Sequence, residues 1–153
     1  KMFRIFLFAI AFCLPISAPA FAAGTDSSES AVKTTESDYV LAEKAVKAKD
    51  FRNAARLLEA YLIGDSSNAN AWNYLAYSHR KLGDLKKAEA EYKKALILNP
   101  DHTGAHEYLG ELYVETGRLD LAVQLLGRLK QICGVDCEEY EELEIAINDA
   151  KGS

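Results

Sequence analysis

Small and apolar residues recur along this chain at helical spacing, and the pattern itself repeats at a fixed period. In the middle stretch, residues 69–102, Trp72, Leu75 and Ala76 share one helical face; Gly83 then interrupts, and Ala88, Tyr92 and Ala95 form the face of a second helix that Asn99-Pro100 ends. Two antiparallel helices cross closely only where small residues meet. Ala76, Ala88 and Ala95 supply that contact, while Trp72, Leu75 and Tyr92 fill the space around it. The same order appears one period earlier, over 35–68, with Leu41, Ala42, Ala54, Leu58 and Tyr61. It appears again one period later, over 103–136, with Leu109, Gly110, Tyr113, Gly117, Ala122 and Leu126. The first copy is the most degenerate, with Lys49 in place of the turn glycine and Ser66 in place of the proline; Gly134 replaces the proline in the last. Three copies in register without insertion predict an all-α array of helix pairs. Its helices run over 36–48 and 53–62, on either side of Gly83-Asp84, and on either side of Gly117-Arg118.

A helix pair of this kind cannot bury its own apolar face, so the array needs a solvated end. The segment 137–153 fits that need, with Tyr140, Leu143, Ile147 and Ala150 forming one stripe. Gly134 is placed to stop the preceding helix in a left-handed conformation, and Asp136 with Glu139 makes a D-x-x-E start for the capping helix, with more acids in its first turn.

The middle copy resembles the tetratricopeptide repeat (TPR) family, whose signature is W-x2-L-G-x2-Y, then A-x3-F, then P, over about 34 residues. Ala76 stands where the family has Gly, and His79 where it has Tyr. With no ligand partner nearby in sequence, His79 is expected to be a satisfied interior or groove-edge imidazole. The resemblance implies three TPR helix-turn-helix repeats in a right-handed superhelix, capped by the C-terminal helix. It also implies a concave groove, lined by the first helix of each repeat, that takes a segment of a partner protein. Carried over position by position, the groove residues are Tyr39 and Glu43, then Asn73, Tyr77, Arg80 and Lys81, then Glu107, Glu111 and Glu115. Family members that clamp a C-terminal carboxylate use Lys and Asn where this chain has Tyr39 and Glu43, so that clamp is not expected. The groove is expected to run instead from an aromatic, basic and amide middle to an acidic end that attracts Lys or Arg of the partner, with an affinity that salt weakens.

The beginning of the chain changes the setting. Lys1 and Arg4 flank an apolar run over 5–14, followed by Pro15 and Ala20-Phe21-Ala22. That is the layout of a secretory signal, with cleavage expected after Ala22 and Ala18-Pro19-Ala20 as a weaker site. The run is shorter than the roughly 20 residues a membrane-spanning helix needs. Phe12 stands where a lipoprotein signal would need a small residue before Cys13. Residues 23–34 are small and polar and are expected to be a disordered leader. The whole chain carries 18 Lys plus Arg against 23 Asp plus Glu; without Lys1 and Arg4 there remain sixteen against 23, a net charge of −7. Nucleic acid and an anionic membrane surface are poor partners for such a chain. The expected location is the periplasm or the exterior.

Cys133 and Cys137 are the cysteines left after processing, so an intramolecular disulfide is the default in an oxidising compartment. A low-pKa thiol at the start of the last helix and a metal site are the alternatives, though C-x3-C is not the spacing of thioredoxin-like motifs, and zinc would need further ligands. The chain is similar to small exported TPR proteins with such a pair before an acidic, Tyr-containing helix. It has no nucleophile elbow, H-E-x-x-H or phosphate loop, so no enzyme and no cofactor are expected. Three functions fit: a periplasmic adaptor or assembly factor that binds a protein or peptide, a redox-responsive module using Cys133 and Cys137, and a scaffold that self-assembles into a homo-oligomer.

Overall fold

The computed structural model describes residues 38–152, and these form helices joined by short turns. The expected signal over 1–22 and leader over 23–34 lie outside the described residues. Helix α1 covers 38–47. It is followed by α2 (Phe51–Gly64), α3 (Ala69–Lys81), α4 (Leu85–Leu98), α5 (Thr103–Glu115), α6 (Leu119–Ile132) and α7 (Glu138–Gly152). No described helix is long and apolar enough to cross a membrane.

The period is visible in the turns. Lys49, Gly83 and Gly117 occupy the same register, and all three have positive φ, at 59°, 87° and 71°. Glycine adopts that conformation freely; Lys49 adopts it against its own side chain. The helix starts repeat as well. Asp50 and Asp84 accept from the backbone N–H of Asn53 and Lys87, and Asn68 and His102 accept from those of Ala71 and Ala105. Each such cap satisfies a donor that the first helical turn leaves orphaned.

The small residues meet as their spacing requires: Ala42, Ala54, Ala76, Ala88, Ala95 and Ala122 are all fully buried. Around them lies one apolar cluster built on Leu58, Tyr61 and Leu75, and a second built on Tyr92, Leu112, Leu129 and Leu143. Helix α7 packs on both α5 and α6. There Leu143 sits over Gly110, so close that a β-carbon on the glycine would stand 2.5 Å from Leu143 Cδ2.

Two expectations need correction. Leu41 is 45% exposed, whereas its register mates Leu75 and Leu109 are buried. Leu75 joins the cluster formed with α2. At the last helix, Asp136 does not form a capping box with Glu139. The carbonyl of Cys137 accepts from the N–H of Glu141, which places the helix start one residue later, and Glu139 instead accepts from Thr103 Oγ1 at 2.6 Å.

Candidate functional site

The Cα atoms of α3 and α5 approach within 8 Å, whereas those of α2 and α4, and of α4 and α6, do not; α2 and α4 are bridged by side chains, with Lys87 Nζ 2.8 Å from Glu59 Oε1. The first helices of successive pairs are therefore drawn together and the second helices splayed. This bends the array toward the face presented by α1, α3 and α5. Residues one period apart line up across that face, giving the rows Tyr39, Asn73, Glu107; Glu43, Tyr77, Glu111; and Lys47, Lys81, Glu115.

Aromatic rings pave it. Tyr39 packs at 5.2 Å on Tyr61 and 6.5 Å from Tyr74, and Tyr77 lies between Phe51 at 5.7 Å and Tyr108 at 4.8 Å. Lys81 Nζ stands 5.1 Å above the Tyr77 ring. Glu43 hydrogen-bonds to the Tyr39 hydroxyl; burial first, and then this carboxylate, push the phenol's pKa up.

The charges are arranged differently from a basic middle followed by an acidic end. Arg80 is 7% exposed and points along the groove wall to the next repeat, where Nη1 meets Glu111 Oε2 at 2.5 Å and Nε and Nη2 meet Glu115 Oε1 at 3.0 and 2.6 Å. Burial works against the guanidinium, but Glu115 and Glu111 outweigh it and hold its pKa above the ordinary value. Arg80, Glu111 and Glu115 thus form one ion-paired strut between α3 and α5. Glu107 is 3% exposed, and its pKa is pushed up to about 9, by burial first and then by its hydrogen bond to Glu142. It is a neutral acid at pH 7.

Asn73 is also buried. Its Oδ1 has no partner, and its Nδ2 lies 3.4 Å from where a β-carbon on Gly104 would be. Beside it opens a cavity of about 270 Å³ whose walls come from α3, the start of α5, and α7. Its lining includes His102, Glu107, Tyr108, Glu139 and Glu142.

The histidines hold structure. His79 is buried, with Nδ1 2.7 Å from Glu91 Oε2 and Nε2 3.1 Å from Lys87 Nζ. This is the satisfied imidazole expected of it. Burial, opposed by His79, raises the Glu91 pKa. His106 Nε2 donates to the Pro100 carbonyl at 2.8 Å. His102 Nδ1 accepts from the Ala105 N–H, so the neutral ring carries its proton on Nε2, which is buried without a partner. Burial lowers the pKa of both His102 and His106.

Cys133 and Cys137 are brought together with their Cα atoms 5.9 Å apart and their sulfurs in bonding contact. One described group gathers three potential metal-ligand atoms, from Cys133, Cys137 and Glu139, but its two sulfurs are engaged with each other.

Two family models described as tetratricopeptide repeat match the chain, one over residues 39–102 and one over 80–143. The chain belongs to the tetratricopeptide repeat family. Tetratricopeptide repeat protein 37 of Xenopus laevis is 30% identical over 84 residues, which is 55% of this chain and 5% of that protein. Human Superkiller complex protein 3 is 28% identical over 86 residues, 56% of this chain and 6% of that protein. The TPR chain therefore spans only a small fraction of the length of these relatives. Among solved structures, the type III secretion translocator chaperone SycD of Yersinia enterocolitica superposes with a TM-score of 0.71 at 15% identity, over 78% of this chain and 85% of that one. The first TPR domain of Spaghetti, bound to an HSP90 peptide, gives 0.69 at 20% identity, over 79% and 95%. PcrH in complex with the chaperone-binding region of PopD gives 0.70 at 15%, over 79% and 93%.

Within this TPR fold, the sequence reading placed its groove residues on α1, α3 and α5, and the structure gathers them on one face. It missed Phe51, Tyr74 and Tyr108 as paving, although Tyr74 and Tyr108 lie one period apart and could have been found by that signal. It also missed the cavity around His102, Gly104 and Glu142, because nothing in the period says where α7 folds back.

Proposed function

We propose that this chain is a non-enzymatic, exported interaction module that holds an extended segment of a partner protein against the face of α1, α3 and α5. The observation that carries this reading is the aromatic paving of that face, with Tyr39, Tyr74, Tyr77 and Tyr108 half-buried and therefore partly open to a ligand. Aromatic rings give large contact area at small entropic cost, the property that enriches them in binding hot spots. Solved TPR neighbours are described with peptides or partner segments bound, which supports the same use here. The module works in the periplasm or outside the cell, where Cys133 and Cys137 form a disulfide that fixes the corner between α6 and α7.

Site-specific crosslinking tests this reading. Benzoylphenylalanine is placed at Tyr77, on the groove face, or at Ile97, which is 74% exposed on α4. The expected result is a partner adduct from position 77 and none from position 97 after irradiation of cells expressing the chain. Adducts from position 97 alone would move the site to the outer face. A single self-adduct of twice the chain mass would favour assembly into a homo-oligomer instead.

A further inference from the structure

The cavity between α3, α5 and α7 is unusual for its unpartnered buried polar atoms. Asn73 Oδ1 is an acceptor and His102 Nε2–H a donor; both atoms are shut away from bulk solvent. Asn73 and Glu107 are more than nine-tenths buried, and both face the cavity. Buried polar groups are paired in the great majority of proteins, so two orphans around one space mark a place built to be filled. The rim is acidic, with exposed Glu138 and Glu142 and half-buried Glu139, and no Lys or Arg lines it. An anion would meet carboxylates with no Lys or Arg to offset them. A single metal ion fits poorly, because the carboxylate and imidazole atoms of this cavity do not converge within 4.8 Å as a ligand set. An organic cation with several N–H donors can reach acceptors that are too far apart for one ion.

We infer that this cavity receives the side chain of an arginine or lysine from the segment held in the groove, its cationic nitrogens donating to Asn73 Oδ1 and Glu107. This rests on the groove reading above and adds to it the chemistry of the partner's anchor. The Tyr74 and Tyr108 side chains lining the same space give the cation aromatic faces as well. His102 Nε2–H is left to donate to a backbone carbonyl of the segment.

Glu107 changes state on binding. The groups facing it are Tyr74 and Tyr77 from α3, His102, Tyr108 and Glu111 from α5 and its cap, and Glu138, Glu139 and Glu142 from α7. Free, it is a neutral acid that donates to Glu142. An incoming cation favours the carboxylate, so the Glu107 proton leaves to solvent and affinity rises with pH up to about 9.

The test uses the full chain, isotope-labelled for NMR, titrated with acetyl-arginine methylamide, acetyl-lysine methylamide and the uncharged acetyl-citrulline methylamide. The Asn73 side-chain amide and His102 imidazole signals should shift saturably with a charged probe. The affinity for that probe should be at least tenfold above that for citrulline, and it should increase from pH 6 to pH 8. Glu107→Gln and Glu142→Gln should each weaken binding at least fivefold; Glu142 is exposed, so its variant keeps the test decisive if the Glu107 variant folds poorly. Equal response to arginine, lysine and citrulline would overturn the inference, as would wild-type affinity in Glu142→Gln. So would calcium chloride moving these signals while both charged probes leave them still. Crosslinking at Tyr77 without a charged-probe response retires the cavity and keeps the groove; a charged-probe response without crosslinking does the reverse.

Discussion

Replacing Gly110 with alanine tests the contact that docks the last helix. In an isolated helix, Gly→Ala gains roughly 1 kcal/mol of helix propensity. Here the new β-carbon would stand 2.5 and 2.7 Å from the two terminal carbons of Leu143, which is itself fully buried. Those distances are roughly 1 Å inside the separation at which carbon atoms pack best, so the isobutyl group or all of α7 must shift. Overpacking of this kind costs about 1–3 kcal/mol, which offsets the propensity gain and leaves Gly110→Ala destabilised by about 1 kcal/mol. At about 4 °C per kcal/mol, Tm should fall by about 4 °C in a calorimetric scan. Leu143→Ala alone should cost about 2–5 kcal/mol through lost burial and the cavity left behind. In that background the same Gly110→Ala change meets no obstacle and should become stabilising, so the double-mutant cycle should show a coupling of about 1–2 kcal/mol. Additive effects, or a rise in Tm for Gly110→Ala in the otherwise wild-type chain, would refute the docking argument.

Lys49→Gly should stabilise the chain by about 0.5–1 kcal/mol in urea denaturation, because a left-handed L-residue costs about 1–2 kcal/mol and glycine returns only part of that as chain entropy; no gain would mean that the turn relaxes without it. Arg80→Ala should cost about 2–3 kcal/mol, below the usual cost of breaking a buried pair, since Glu111 and Glu115 are exposed enough to hydrate once released. Arg80→Lys should fall between the two, as an ammonium cannot reproduce the forked contact. Glu107 holds its proton in the folded chain up to about pH 9 and loses it near its ordinary pKa when unfolded, so the folded state binds the extra proton between those values. Its contribution to stability is complete below the lower value and is lost as pH rises toward the upper one. Glu107→Gln should flatten the fall in Tm between pH 5 and pH 9, and identical slopes for the two proteins would rule out a buried neutral acid.

The sequence by itself determined what repeats. Local rules act at fixed spacing, so the alanine contacts and the turn positions at 49, 83 and 117 are all read from residues a few positions apart. The face shared by Tyr39, Asn73, Tyr77 and Glu107 follows from the same period, since one period later means one helix pair further along the same surface. Charge state did not follow. Whether Arg80 is a free cation or a strut depends on Glu111 and Glu115 lying across the interhelical space, more than thirty residues away, and whether Glu107 is ionised depends on how completely α7 covers it. The placement of α7 likewise rests on Leu143 finding a position without a side chain, Gly110, a fit of shape that no periodicity announces. Tertiary structure alone decided these points, because burial and Coulomb interaction depend on distance in space, whereas the repeat fixes only distance along the chain.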